Sequence, residues 1–78
     1  MVYKQGVVLD SDGEIRYYVN NTAVVAGLVQ DKEGNYYYIN STKKAVKDCK
    51  YAFSEANSNG LLPAGVYYFD VDGKLILK

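Results

Sequence analysis

Apolar and polar residues alternate with a period of two at 14–20, which is the pattern of a strand with one face turned to a core, and tyrosine-rich segments at 35–40 and 66–70 echo it. At 14–20 the pattern puts Ile15, Tyr17 and Val19 on one face and Arg16, Tyr18 and Asn20 on the other. Each segment carries a Tyr-Tyr pair, then a β-branched or aromatic residue, then Asn or Asp: Tyr17-Tyr18-Val19-Asn20, Tyr37-Tyr38-Ile39-Asn40, Tyr67-Tyr68-Phe69-Asp70. Such residues favour a half-buried strand running into a turn. Ahead of the first two stand matching short arms, Gly6-Val7-Val8-Leu9-Asp10 and Gly27-Leu28-Val29-Gln30-Asp31, closed by turns ending at Gly13 and Gly34. In the third, Gly60-Leu61-Leu62 is the leading arm, Pro63-Ala64-Gly65 the turn, and Val71-Asp72-Gly73 reverses the chain into a closing arm at 74–77.

The spacing predicts an all-β chain of successive hairpins, three repeats of roughly twenty residues arranged as an antiparallel meander or short hairpin stack. The copies are 6–25, 27–46 and 60–77 of a single module over 1–78, with an irregular insert at 47–59. Within the insert, Ala45, Cys49, Ala52, Phe53 and Ala56 fall at helical spacing, while Cys49, Tyr51 and Phe53 also alternate with Lys50, Ala52 and Ser54. We take the strand over the helix because Tyr and Phe favour it, with a loop over 55–59.

A chain of 78 residues has room for one thin core, and nine tyrosines with no tryptophan show what would fill it. Aligning the copies assigns Tyr17, Tyr37 and Tyr67, with Val19, Ile39 and Phe69, to the core. Tyr18, Tyr36, Tyr38 and Tyr68 then share the opposite face with Asn20, Asn40 and Asp70, as a tyrosine row suited to stacking on sugar rings or on a neighbouring hairpin.

Nine acidic and nine basic residues cancel, so no broad field gathers polyanions, and nucleic acid is not an expected partner. Lys43, Lys44, Lys47 and Lys50 read as a solvated face. No apolar run approaches the roughly 20 residues of a membrane span, and none reads as a signal peptide. Cys49 has no cysteine to pair with and is expected as a small buried or half-buried thiol. Without histidine there is no imidazole base or ligand, and Asp10 with Asp12 sits in a turn open to water. Asp10-Ser11-Asp12-Gly13 and Asp70-Val71-Asp72-Gly73 bring glycine too early for a calcium loop and lack its closing glutamate. No catalytic residue, metal or cofactor is expected, and the chain is not read as an enzyme.

The repeated Gly-apolar arm, glycine turn and Tyr-Tyr-aromatic-Asn/Asp strand resemble the cell-wall-binding repeat, the family that includes choline-binding modules of Gram-positive surface proteins. The resemblance is clearest at 27–46 and 67–75. It implies stacked hairpins with ligand sites between them, and a non-catalytic module of an exported bacterial surface protein. Choline-binding members place Trp where this chain has Val7, Leu28 and Leu61, and again where it has Arg16, Tyr36 and Val66. A quaternary ammonium needs several π faces at once, so the resemblance points to a cell-wall polymer or other glycan bound by Tyr18, Tyr36, Tyr38 and Tyr68. The alternative is a structural spacer or self-associating homo-oligomer whose tyrosines bury against neighbouring repeats.

Overall fold

The computed structural model describes residues 4–76. It holds eight strands and, among the described residues, no helix: β1 (Gly6–Leu9), β2 (Ile15–Val19), β3 (Thr22–Val24), β4 (Gly27–Gln30), β5 (Tyr36–Ile39), β6 (Cys49–Phe53), β7 (Gly65–Phe69) and β8 (Leu75–Ile76). They form three small antiparallel sheets, β1-β2-β3, β4-β5 and β6-β7-β8, in an elongated body of 39 × 24 × 24 Å. The chain is therefore all-β and built of successive hairpins. Leu77, the last residue of the expected closing arm, lies outside the described residues.

One turn design recurs four times. At Asp10, Asp31, Asn40 and Asp70 the carbonyl accepts the amide three residues on, at 3.0, 3.2, 2.9 and 3.0 Å. The amide of each also donates to the carbonyl four residues on, at 2.9, 2.9, 3.1 and 2.9 Å. The fourth residue must then take a positive φ, as Gly13, Gly34 and Gly73 do at 86°, 91° and 83°. Lys43 fills that place in the remaining turn, at 67°. Asp31 and Asp70 each fasten the loop with one carboxylate oxygen, which accepts two backbone amides at 2.9 Å. These aspartates serve the backbone, as the turn reading of the sequence anticipates. The β2–β3 connection is a different device, two asparagines, Asn20 and Asn21, both at positive φ.

Asp10 departs from this pattern. Its carboxylate accepts from Lys4 at 2.9 Å, Arg16 at 2.7 Å and the Tyr18 hydroxyl at 2.7 Å, and Lys4 also lies 4.9 Å from the Tyr18 ring centre. Lys4, then Arg16 and Tyr18, hold the Asp10 carboxyl well below the usual carboxylate range. The outward face of the first sheet is thus fastened by charge.

The middle hairpin, β4–β5, has no solvent face. Leu28 and Tyr38, paired across it, pack with Val46, which follows β5, and with Phe53, Phe69 and Leu75 of the third unit. Val29 and Tyr37, paired on its other side, pack with Ile39 and Ala45 against Val7, Ile15 and Tyr17 of the first. Tyr37 and Tyr38 are consequently both buried, at 5% and 6% exposure. This corrects the two-face assignment: Tyr38 lies in the core with Tyr37, because a hairpin flanked on both sides buries alternate residues in opposite directions. Tyr17 and Tyr67 are half-buried against the clusters as expected, whereas Val19 is exposed at the end of its strand.

The third hairpin is assembled differently from the sequence reading. β7 pairs with Cys49–Phe53, inside the supposed insert, and not with Gly60-Leu61-Leu62, while Gly65 belongs to β7 itself. The strand reading at 49–53 is the one realised, and the helix reading is not. Cys49 is exposed, since it opens an edge strand, so the expected burial of its thiol is also corrected. The free edge of β4 is met by the 54–61 loop. The Asn57 carbonyl accepts from the Leu28 amide at 3.0 Å, and the Asn59 side-chain amide donates to the Ala26 and Leu28 carbonyls at 2.7 and 2.8 Å. The expected arm at 44–46 reduces to one bridge, Ile39 to Ala45, followed by a bond from the Val46 amide to the Tyr38 carbonyl at 3.0 Å.

Candidate functional site

The second and third hairpins meet through a ladder of rings. Tyr51 and Phe53 stand two residues apart on β6 and so share a face. Opposite them comes Tyr38 from β5, with ring centres 4.6 Å from Tyr51 and 5.3 Å from Phe53. Phe53 stacks in turn on Tyr67 at 5.0 Å, and the Tyr67 hydroxyl donates to the Pro63 carbonyl at 2.9 Å, which holds the 60–64 segment over the ladder's far end. Each such pair contributes roughly 0.5–1.5 kcal/mol beyond its burial. The ladder is first a structural joint.

Its near end opens into a cleft of about 420 Å³ lined by Tyr38, Tyr51, Asn40, Ser41, Asn57 and Asn59, with small apolar residues of 25–27 along one side. The loop that carries the asparagines is wound on itself: the Ser54 carbonyl accepts the amides of Asn57 and Ser58 at 3.1 and 3.0 Å, and the buried Ser58 hydroxyl donates to the Glu55 carbonyl at 2.8 Å. Gly27 lets it sit down on β4. A Cβ there would lie 2.5 Å from the Asn57 carbonyl oxygen, and φ is +70°. Asn59 spends its side-chain N–H groups on backbone carbonyls, so its amide oxygen keeps acceptor capacity.

Among the described residues, no lining side chain is charged. Burial, and after it the neighbouring Tyr51, pushes the Tyr38 hydroxyl up from its ordinary value, which keeps it a neutral hydroxyl. Amides, hydroxyls and ring edges of this kind exchange hydrogen bonds with a neutral polyhydroxy ligand. Among the described residues the lining has no carboxylate, imidazole, amine or thiol, and no group of His, Cys, Asp and Glu is placed to hold a metal ion.

The tyrosines singled out in the sequence do not converge here. Tyr38 lines the cleft; Tyr36 is half-buried against the aromatic cluster; Tyr18 is committed to Asp10 on the first sheet; Tyr68, 51% exposed, stands on the outer face of the third. Sequence reasoning missed Tyr51, Asn57 and Asn59. The alternation of Tyr51 with Phe53 was the available signal for the first. Nothing local marked the asparagines, whose place depends on a loop crossing 31 residues back to β4.

Compared with known proteins, the chain is similar in structure to the choline binding domain of Spr1274 in Streptococcus pneumoniae, with a TM-score of 0.65 and 20% sequence identity over 96% of this chain and 97% of that one. No protein-family model matches, and no curated protein matches by sequence. The likeness is one of fold.

Proposed function

We propose that this chain is a non-catalytic recognition module that holds neutral sugar units of a cell-wall polymer or other glycan, at a bacterial surface, in the cleft between its second and third hairpins. The observation that carries this reading is the cleft's lining, which sets tyrosine beside three asparagines and a serine without any charge. A carbohydrate offers hydroxyls to the amides and a C–H face to a ring. Choline, which the structurally similar pneumococcal domain is named for, is the less suited ligand. Among the described residues Tyr38 and Tyr51 alone bring rings to this cleft, Tyr38 is nearly closed off, and a quaternary ammonium gains from several exposed ring faces. Tyr38 and Tyr51 are the contact residues proposed, and Tyr18, Tyr36 and Tyr68 take no part at this cleft.

Binding to a glycan array and to isolated cell walls tests this. Tyr51→Ala, at a half-buried position, is expected to abolish glycan binding while the circular dichroism of the sheet persists. Unchanged binding in Tyr51→Ala, or binding competed away by millimolar choline and by no sugar, overturns it.

A second reading rests on a separate observation. Val66 and Tyr68 stand two residues apart on one face of β7, Tyr68 pairs with Ile76 of β8, and all three are exposed. Self-association through that face is the structural alternative. Sedimentation equilibrium decides it: a dimer dispersed by Tyr68→Glu supports it, and a monomer across the concentration range removes it.

A further inference from the structure

The turns of the first and third units and a strand of the second meet at a place the glycan reading does not use. Gly73 allows the approach, since a Cβ there would lie 3.5 Å from the tip of Ile15 and from the Val46 carbonyl. The Lys47 ammonium crosses to the Gly13 carbonyl at 3.2 Å and to Glu14 at 3.4 Å, and the Ala45 amide donates to the Ile15 carbonyl at 2.8 Å. Between them lies a cavity of about 340 Å³, within the range of small-molecule pockets.

Two features of its lining ask for an occupant. Leu9, at the end of β1, and Val71, in the third unit's turn, are 69% and 68% exposed and both stand on it, so bare aliphatic side chains of two separate units flank one cavity. Its charges are also mixed: Asp31, Asp72, Lys47 and Lys74. Asp72 and Lys74 donate their backbone amides to Asp70, but among the described residues neither charged head enters an ion pair. Asp31 keeps one carboxylate oxygen on the turn amides and gives the other to the Tyr37 hydroxyl at 3.2 Å, a long bond that leaves acceptor capacity. A lone anion would meet two carboxylates here, and a lone cation two ammonium groups. Lys47 already serves Glu14 and Asp31 already serves its turn, so the heads left over, without an ion pair among the described residues, are Asp72 and Lys74, of opposite sign. A ligand that carries both signs on an aliphatic body satisfies both.

We infer that this cavity binds a small aliphatic zwitterion, of the chemical class of a free branched-chain α-amino acid. Its carboxylate pairs with Lys74 and Lys47, its ammonium with Asp72 and Asp31, and its side chain lies between Leu9 and Val71. The site exists only when all three units are stacked, and it shares no residue with the glycan cleft. The charged groups are partly wet, so the binding is weak, in the millimolar range.

The test is a heteronuclear NMR titration of the whole chain with L-leucine, isoamylamine and isovalerate. The expected result is saturable amide shifts confined to Leu9, Gly13 and 71–74 with leucine, with each singly charged analogue binding at least about fivefold more weakly. Lys74→Gln and Asp72→Asn, which keep the backbone bonds of their turn, should each weaken leucine by about fivefold. Tyr51→Ala should leave it unchanged, which separates this site from the glycan reading. Absence of localised shifts with leucine, or equal binding of either analogue, overturns the inference.

Discussion

The two faces of the middle hairpin are covered by different chemistry. Toward the third unit the cover is aromatic, Tyr38 and Leu28 meeting Phe53, Phe69 and the half-buried Tyr51 and Tyr67. Toward the first it is mainly aliphatic, Val29 and Ile39 meeting Val7, Ile15 and Ala45, with Tyr37 and Tyr17 as the rings. Flat rings stack and leave their edges at the border, which is where the amide-lined cleft opens. On the aliphatic side the Tyr37 hydroxyl reaches Asp31 at the border of the mixed-charge cavity. One repeat thus gives two kinds of joint, and a cavity lies at the margin of each.

Truncation should expose this difference most strongly. Phe53→Ala removes the ring that touches both Tyr38 and Tyr67, and should cost about 4 kcal/mol; Ile39→Ala, on the other face, about 3 kcal/mol. Urea midpoints measure both, and equal small losses below about 1 kcal/mol would mean that neither face is packed as described. Gly27→Ala ranks next at about 2 kcal/mol, because a left-handed φ and a backbone oxygen 2.5 Å away both oppose the new methyl. It should also lift the 54–61 loop, seen as faster amide exchange at Leu28.

The aliphatic side has its own signature in alkali. Burial, and then the Asp31 carboxylate, push the Tyr37 hydroxyl up to about 12. The folded state therefore holds this proton more tightly than the unfolded chain. Its contribution is whole below pH about 10 and is lost as pH rises toward about 12, on the order of 2 kcal/mol. Tyr37→Phe should cost about 1 kcal/mol at neutral pH for the lost hydrogen bond and should flatten that part of the alkaline decline. The smallest expected effect is a gain: Lys43→Gly relieves a left-handed lysine in an exposed turn by about 1 kcal/mol, read as a higher urea midpoint.

The hairpin architecture was legible in the sequence because turn chemistry is local. Asp31 to Gly34 and Asp70 to Gly73 announce their turns through residues a few places apart, and the Tyr-Tyr strands follow directly. Two things were not legible. Alternation at 36–39 says that neighbouring residues point in opposite directions, but not that both directions are inside. That depends on hairpins elsewhere in the chain, and it put Tyr38 on the wrong side of the ledger. The third hairpin's first arm was likewise hidden, because Gly60-Leu61-Leu62 mimics the leading arm of the other copies, while the true partner of β7 begins at an exposed cysteine. The candidate site followed the same rule: Tyr38 and Asn40 were visible, while Tyr51, on the hidden strand, and Asn57 and Asn59, brought in by a distant loop, were not.

Nuclear Overhauser contacts of the Tyr37 and Tyr38 rings probe the sandwiched hairpin most directly. Tyr38 should show cross-peaks to Tyr51 and Phe53, and Tyr37 to the Val7 and Ile15 side chains, with no exchange between the two sets. If both rings contact the same neighbour, or if Tyr38 contacts only solvent, the middle hairpin is not enclosed on its two faces and the account fails.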